Sequence, residues 1–253
     1  MIGSLRLVER NLNVYRHTWI VLFSGFFEPV FYLFGIGVGI GSLVGRVQLD
    51  NGRLVSYAVF VAPALMASSA MNGAIYESTF NLFFKLRYAK LYDAVLATPL
   101  RTTDVAAGEV GWALMRGALY SVGFLVVMTL MGLTISPWAL LAWPASILIG
   151  LAFAGVGTAT TTFLRRWQDF DLVQLFLIPL FLFSGTFFPV SAYPALVRVL
   201  VELTPLYHGV HLIRGLTTGV LDAGLLVDCA YLLALGLVGV AITRARLDRL
   251  LLR

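Results

Sequence analysis

His208 and His211 stand three residues apart at helical spacing, an arrangement in which two imidazoles on one helix face can share a metal ion. No Asp, Glu or Cys accompanies them closely along the chain, so gate packing or hydrogen bonding is the favoured reading and no metal site is expected. The other candidates are ionisable groups among apolar runs. Glu28 precedes Pro29 inside the first run, Glu77 lies near the far end of the second, and Glu109 and Arg116 open the third. Such groups are costly in a bilayer and must face protein or water. For Glu28 a functional carboxylate and a structural one paired to a neighbouring helix stay equally open. Glu109 and Arg116 are seven apart and share a face, which points to a salt bridge or a water-lined pair rather than to catalysis. Neither lysine, Lys85 or Lys90, follows a glycine, so there is no Walker A loop to cradle ATP phosphates. His-Glu-x-x-His and Gly-x-Ser-x-Gly are also absent. No catalytic, cofactor-binding or metal-binding residue is expected.

The elements that must position these residues follow from composition. Of 253 residues 59% are hydrophobic and 12% charged, with a mean hydropathy of +0.88. Soluble domains are roughly 45–50% apolar and about a quarter charged. The chain is therefore expected to be a single all-α membrane domain spanning 1–253. Its net charge of +5 does not point to nucleic acid, because the basic residues sit between apolar runs. Cys229 is alone, so no disulfide forms within the chain. The first 18 residues lack the apolar core of a cleavable signal peptide.

Residues 4–17 place Leu5, Val8, Leu12 and Tyr15 on one face and predict an amphipathic interfacial helix within 1–18. Six spans are predicted, at 19–43, 56–80, 110–133, 138–164, 171–188 and 225–243. The first carries glycines four apart twice over, at Gly35/Gly39 and Gly37/Gly41, spacing that suits close helix contact. The polar stretch 85–104 contains a short helix, Leu91 to Leu96, with Tyr92 and Asp93 available to a partner. Thr103-Asp104 can cap the next helix.

Between the fifth and sixth spans Pro189, Pro194 and Pro205 break a stretch too apolar for a loop in water. It reads as a re-entrant helical hairpin over 189–218, since broken backbone survives at membrane depth only under the cover of protein or a cavity. Phe183, Phe187 and Phe188 suit an apolar plug at its mouth. Fourteen basic residues fall on the side that holds both termini and four (Arg46, Arg53, Arg198, Arg214) on the other. By the positive-inside rule both termini are cytoplasmic and the hairpin is outer.

Five stretches, in this order and at these separations, carry a family resemblance. They are EPVFYLFGIGVGIG, YDAVLATPLRTTDVAAGEVGWALMR, WQDFD, FLFSGTFFPV and PLYHGVHLIRGL. Together they resemble the permease subunit of ABC-2 type exporters, in the branch of the nodulation-factor (lipo-oligosaccharide) and daunorubicin-type drug exporters. The resemblance covers nearly the whole chain. It implies a multi-pass protein of the bacterial inner membrane that pairs with a second copy or a sister permease. Two ABC ATPase subunits that carry Mg-ATP would dock beneath. Lys90, Leu91, Tyr92, Asp93, Ala94 and Val95 would form the coupling helix, with the N-terminal helix as a second contact. Phe187, Phe188, Pro189, Tyr193, Pro205, His208, His211 and Arg214 would belong to the outer gate. The apolar spans favour an amphipathic or hydrophobic cargo such as a drug, lipid or glycolipid. Polysaccharide is the alternative, with Tyr32, Trp112 and Tyr120 as stacking groups, and an ion-coupled carrier using Glu28 or Glu77 is a third.

Overall fold

The computed structural model describes residues 2–15, 27, 30–49 and 51–251. Glu28 lies outside them. The described chain is helical apart from one small hairpin, β1 (Arg46–Gln48) paired antiparallel with β2 (Leu54–Ser56), with Val47 opposite Val55.

Helix α1 (Ile2–Tyr15) lies against the start of α5 (Thr102–Leu130), and a side chain at Gly108 would strike Leu7. Helix α2 (Val30–Val44) has wide π-type turns over Leu33–Ile40. Of its two glycine pairs, Gly37 and Gly41 approach Ala58 and Tyr57 of α3, whereas Gly35 and Gly39 touch no neighbouring element among the described residues. Helix α3 (Tyr57–Tyr88) starts where the Ser56 hydroxyl accepts from Val59 N at 3.4 Å, and it is apolar on all sides over most of its length. It accordingly runs through the middle of the bundle, with Val61, Ala64, Met66, Ala67 and Ala70 fully buried.

A short helix, α4 (Leu91–Leu96), follows. Asp104 then accepts from Arg101 N at 3.0 Å and caps α5 from within its first turn, so α5 begins eight residues before the predicted span. Pro137 opens α6 (Pro137–Thr161). Asp169 accepts from the backbone N–H groups of Arg165 and Arg166 at 2.7 and 3.0 Å, which holds its carboxyl below the usual range and fixes the turn into α7.

Helix α7 (Phe170–Leu182) has 13 residues, a rise of about 20 Å. It is shorter than the roughly 30 Å hydrocarbon layer. The predicted span 171–188 is corrected here: the helix stops at Leu182, and Gly185 turns the chain at φ 73°. Helices α8 (Ala195–Glu202) and α9 (Pro205–Thr218) form the broken pair and meet at 83°. Thr204 caps α9 by accepting from Tyr207 N at 3.4 Å, with Pro205 at its first position and Gly219 (φ 79°) closing it. Helix α10 (Gly224–Leu251) is last.

Among the described residues α3, α5, α6 and α10 are long and apolar enough to cross a membrane, and the bent α8–α9 pair makes a fifth if counted as one span. The closest crossing joins α6 and α10: a Cβ on Gly155 would stand 2.5 Å from the Gly236 carbonyl oxygen, so the two backbones touch. Both ends of the chain meet at one end of the bundle, where Leu7 and Leu247 share a cluster with Leu82, Tyr92, Val105 and Ala106. The hairpin, the turn after α5 and the α8–α9 pair occupy the opposite end.

Candidate functional site

At the end that gathers the termini, α4 rests on the bundle. Lys90 precedes it with φ 44°, a left-handed conformation that turns the chain sharply into the helix. Leu91 and Val95 are half-buried, while Lys90, Asp93 and Ala94 are exposed. Tyr92 was expected to be available to a partner. The structure corrects this, because its side chain is 1% exposed and belongs to the cluster with Leu7 and Leu247. Burial, with Glu109 beside it, pushes the Tyr92 hydroxyl well above its usual range. Asp93 and Ala94 form the outward face, and Tyr92 is the peg that holds it.

The predicted pairing of Glu109 with Arg116 is also corrected. One face of α5 does carry both, but each reaches a different partner on α3. Lys85 Nζ donates to Glu109 Oε2 at 2.7 Å and lies 3.5 Å from Asn11 Oδ1 of α1. Arg116 pairs with Glu77 and donates through Nε to the Tyr120 hydroxyl at 2.9 Å. Both carboxylates are buried. Neither is a free acid, and together the two pairs lace α3 to α5.

Between α2, α3 and α7 lies a cavity of about 530 Å³. Ser68, Ser69, Asn72 and Gln174 supply its hydrogen-bonding groups, and none of its described lining residues carries a formal charge. Tyr32, Tyr76, Phe80, Phe181 and Phe187 supply ring faces. A run of ring contacts leads from the cavity toward the basic end: Tyr76 stacks on Phe80 at 4.9 Å, Phe80 stacks on Phe170 at 4.3 Å, and Trp167 lies tilted against Phe170 at 5.2 Å. Of the three aromatics first read as sugar-stacking groups, Tyr32 lines this space. Trp112 and Tyr120 are buried in the bundle instead.

At the opposite end the expected phenylalanine plug is reduced to one residue. Phe187 faces the cavity and packs edge-on against Phe181 at 5.2 Å. Phe183 and Phe188 are exposed. Tyr57 donates to the Phe187 carbonyl at 3.3 Å. Pro189 opens the turn Val190–Ala192, and Tyr193 leans on Phe183 with ring centres 6.1 Å apart. Arg214 joins three elements: Nε donates to the Phe60 carbonyl at 3.2 Å, Nη2 to the Gly185 carbonyl at 2.8 Å, and the guanidinium lies 3.9 Å from the Phe60 ring centre. His208 and His211 do have an acidic neighbour, contrary to expectation. Their Nδ1 atoms reach the two oxygens of Asp228 at 2.7 and 2.6 Å. Asp228 sits inside the last apolar run, where an ionisable residue by itself marks a site. That signal was present in the sequence, but its partners were not legible before α9 and α10 were brought together.

The family model for ABC-2 type transporters matches residues 5–217. The chain belongs to this family. It is similar to "Nodulation protein J" of Rhizobium leguminosarum bv. viciae, 34% identical over 88% of this chain and 86% of that one. It is 36% identical to "Nodulation protein J" of Rhizobium leguminosarum bv. trifolii over 88% and 85% of the two chains. "Inner membrane transport permease YadH" of Escherichia coli (strain K12) is 28% identical over 72% and 69%. The chain is thus a non-catalytic transport subunit of the inner membrane, with apolar helices of membrane-spanning length. An ABC-2 permease typically works with ABC ATPase subunits.

Proposed function

We propose that the chain is the permease half of an ATP-driven exporter that moves an amphipathic or hydrophobic molecule, a drug, lipid or glycolipid, out of the cell. In this reading the basic end is cytoplasmic, the α8–α9 pair is the outer gate, and the chain crosses the membrane six times. Two ATPase subunits hydrolyse Mg-ATP beneath two permeases, identical or sister chains. They grip the exposed face of α4, Lys90, Asp93, Ala94 and the edge of Val95, with α1 as a second contact. A partner drives transport only if it contacts the inward and outward states differently, and a short helix pegged into the bundle by Tyr92 transmits such a difference. Glu77, held by Arg116, supports an ion-coupled carrier less well.

The cavity whose described lining carries no formal charge and combines ring faces with hydroxyl and amide groups is the observation that carries the cargo reading. The run of ring contacts from Trp167 to Tyr76 favours a second reading, an oligosaccharide cargo. The test is reconstitution with the ATPase in liposomes. Asp93→Arg should leave the permease folded and abolish ATP-dependent transport. Proton-driven transport by the chain alone, without ATP, would overturn the proposal.

A further inference from the structure

A second cavity, of about 250 Å³, opens at the end of the bundle that carries the hairpin. Its walls come from β1, the turn Val190–Ala192, α8 and α9, with Phe60 of α3. Pockets that take a whole small molecule run to roughly 300–1,000 Å³, so this one suits a single small group rather than the cargo. Arg198 and Arg214 line it, and a guanidinium keeps its charge throughout the physiological range. Arg214 is fixed by its bonds to the Phe60 and Gly185 carbonyls. Arg198 Nη2 donates to the Ser191 carbonyl at 3.0 Å, but its Nε is buried and meets no acceptor among the described residues. Glu202, four residues on, lines the same cavity, yet it is exposed and forms no ion pair with Arg198. Asp222 and Asp228 engage His211 and are not among the residues that line the cavity. A buried donor without an acceptor is costly. An oxyanion entering the cavity is the group that supplies one.

By formal charge the two arginines face one carboxylate, and His211 never subtracts from the difference. The described lining therefore suits an anion of a single negative charge, and guanidinium groups grip phosphate oxygens through paired N–H donors. The level of the site in the membrane selects among such anions. Leu196, Val199 and Leu200 are exposed along one side of α8, Val201 is buried against the bundle, and Arg198 and Glu202 take the remaining edge. A helix divided in this way lies at the boundary between acyl chains and headgroups. Basic pockets between membrane helices take acidic lipid heads. We propose that this cavity binds the phosphodiester of an anionic membrane lipid between Arg198 and Arg214, and that the bound lipid fastens α8 to α9 and to the hairpin.

The test needs neither cargo nor ATPase, so its failure is separate from failure of the transport reading. Full-length chain in detergent micelles is given phosphatidylglycerol, which has a phosphodiester and no cation. Parallel samples receive phosphatidylcholine, whose ammonium offsets its phosphate, or inorganic phosphate in the buffer. Hydrogen exchange over residues 190–202 is followed by mass spectrometry, which separates this site from lipid held by the arginines at the opposite end. Phosphatidylglycerol should slow exchange there, and the other two should not. In Arg198→Gln the lipid concentration for half protection should rise roughly tenfold or more, the loss expected for hydrogen bonds to a charged group. Glu202→Gln changes an exposed side chain and removes the opposing charge, so that concentration should fall, by up to about fivefold. This variant carries the test if Arg198→Gln does not fold. Equal protection by phosphatidylcholine would overturn the proposal, and equal protection by inorganic phosphate would overturn it in favour of a soluble-anion site. Protection unchanged in Arg198→Gln, or not strengthened in Glu202→Gln, would overturn it as well.

Discussion

Lys85 Nζ meets Glu109 Oε2 at 2.7 Å, with 16% and 3% of the two side chains exposed, and the contact ties the tail of α3 to the opening turns of α5. Removing one member of such a pair strands the other. Lys85→Met should destabilise the fold by about 3–5 kcal/mol, whereas adding Glu109→Gln should recover most of that loss, since a buried pair replaced as a whole is often close to neutral. Thermal unfolding midpoints in lipid nanodiscs provide the comparison. Strictly additive losses in the double variant would mean that the pair does not act as a unit.

Tyr92 and Asp93 are neighbours in sequence and opposites in environment. Tyr92→Ala removes a fully buried ring and should cost about 3–5 kcal/mol in stability, visible as poor yield and a lowered unfolding midpoint. Asp93→Arg touches only the exposed face of α4 and should unfold within about 0.5 kcal/mol of the native chain. Equal thermal stability of the two variants would contradict the peg-and-face arrangement.

The raised Tyr92 hydroxyl gives a pH signature. Its folded value lies above the ordinary tyrosine value of about 10. Below that ordinary value the group is protonated in both folded and unfolded chains and makes no difference between them. Above it the unfolded chain releases the proton while the folded chain keeps it, so stability falls as pH rises toward the folded value. In the ultraviolet titration, exposed tyrosines should ionise first and the increment from Tyr92 should arrive only with unfolding. Tyr92→Phe should lose that late increment and nothing else. An unaltered late phase in Tyr92→Phe would assign it to another tyrosine.

Local signals made much of the fold legible. Ser56, Pro137, Thr204-Pro205 and Gly219 each act through backbone chemistry within a few residues, and the helix limits fall close to them. The start of α5 was legible too, since Thr103-Asp104 reads as its cap and Asp104 accepts from Arg101 N there, whereas the apolar run from 110 marks only the membrane-facing part of the same helix. The exposed face of α4 was half legible: Leu91, Tyr92 and Val95 share one side, and that pattern implies burial for Tyr92 as much as for its neighbours. The ion pairs were not legible at all. Glu77 to Arg116, Lys85 to Glu109 and Asp228 to the two histidines join different helices, and helical spacing constrains only partners on the same one. The cavity escaped for the same reason, since Ser68, Asn72 and Gln174 read individually as ordinary polar residues in apolar runs.

The contact between α6 and α10 allows the sharpest structural test, because it is made of backbone. A Cβ on Gly155 would meet the Gly236 carbonyl, and one on Gly239 would meet the Gly155 backbone, so there is no flexible side chain to move aside. Gly155→Val should force the helices apart and cost more than about 2 kcal/mol, at the upper end of overpacking effects. Gly35→Val is the control, since a Cβ there meets nothing within 4 Å among the described residues. The prediction is a large loss of stability for Gly155→Val and, for Gly35→Val, only the small propensity change of placing a branched residue in a helix. If both variants retain the native unfolding midpoint, the close crossing of α6 and α10 is not what holds this side of the bundle together. The Thr158–Thr243 hydroxyl contact at 2.9 Å, one helical turn further along the same interface, would then be the next contact to remove.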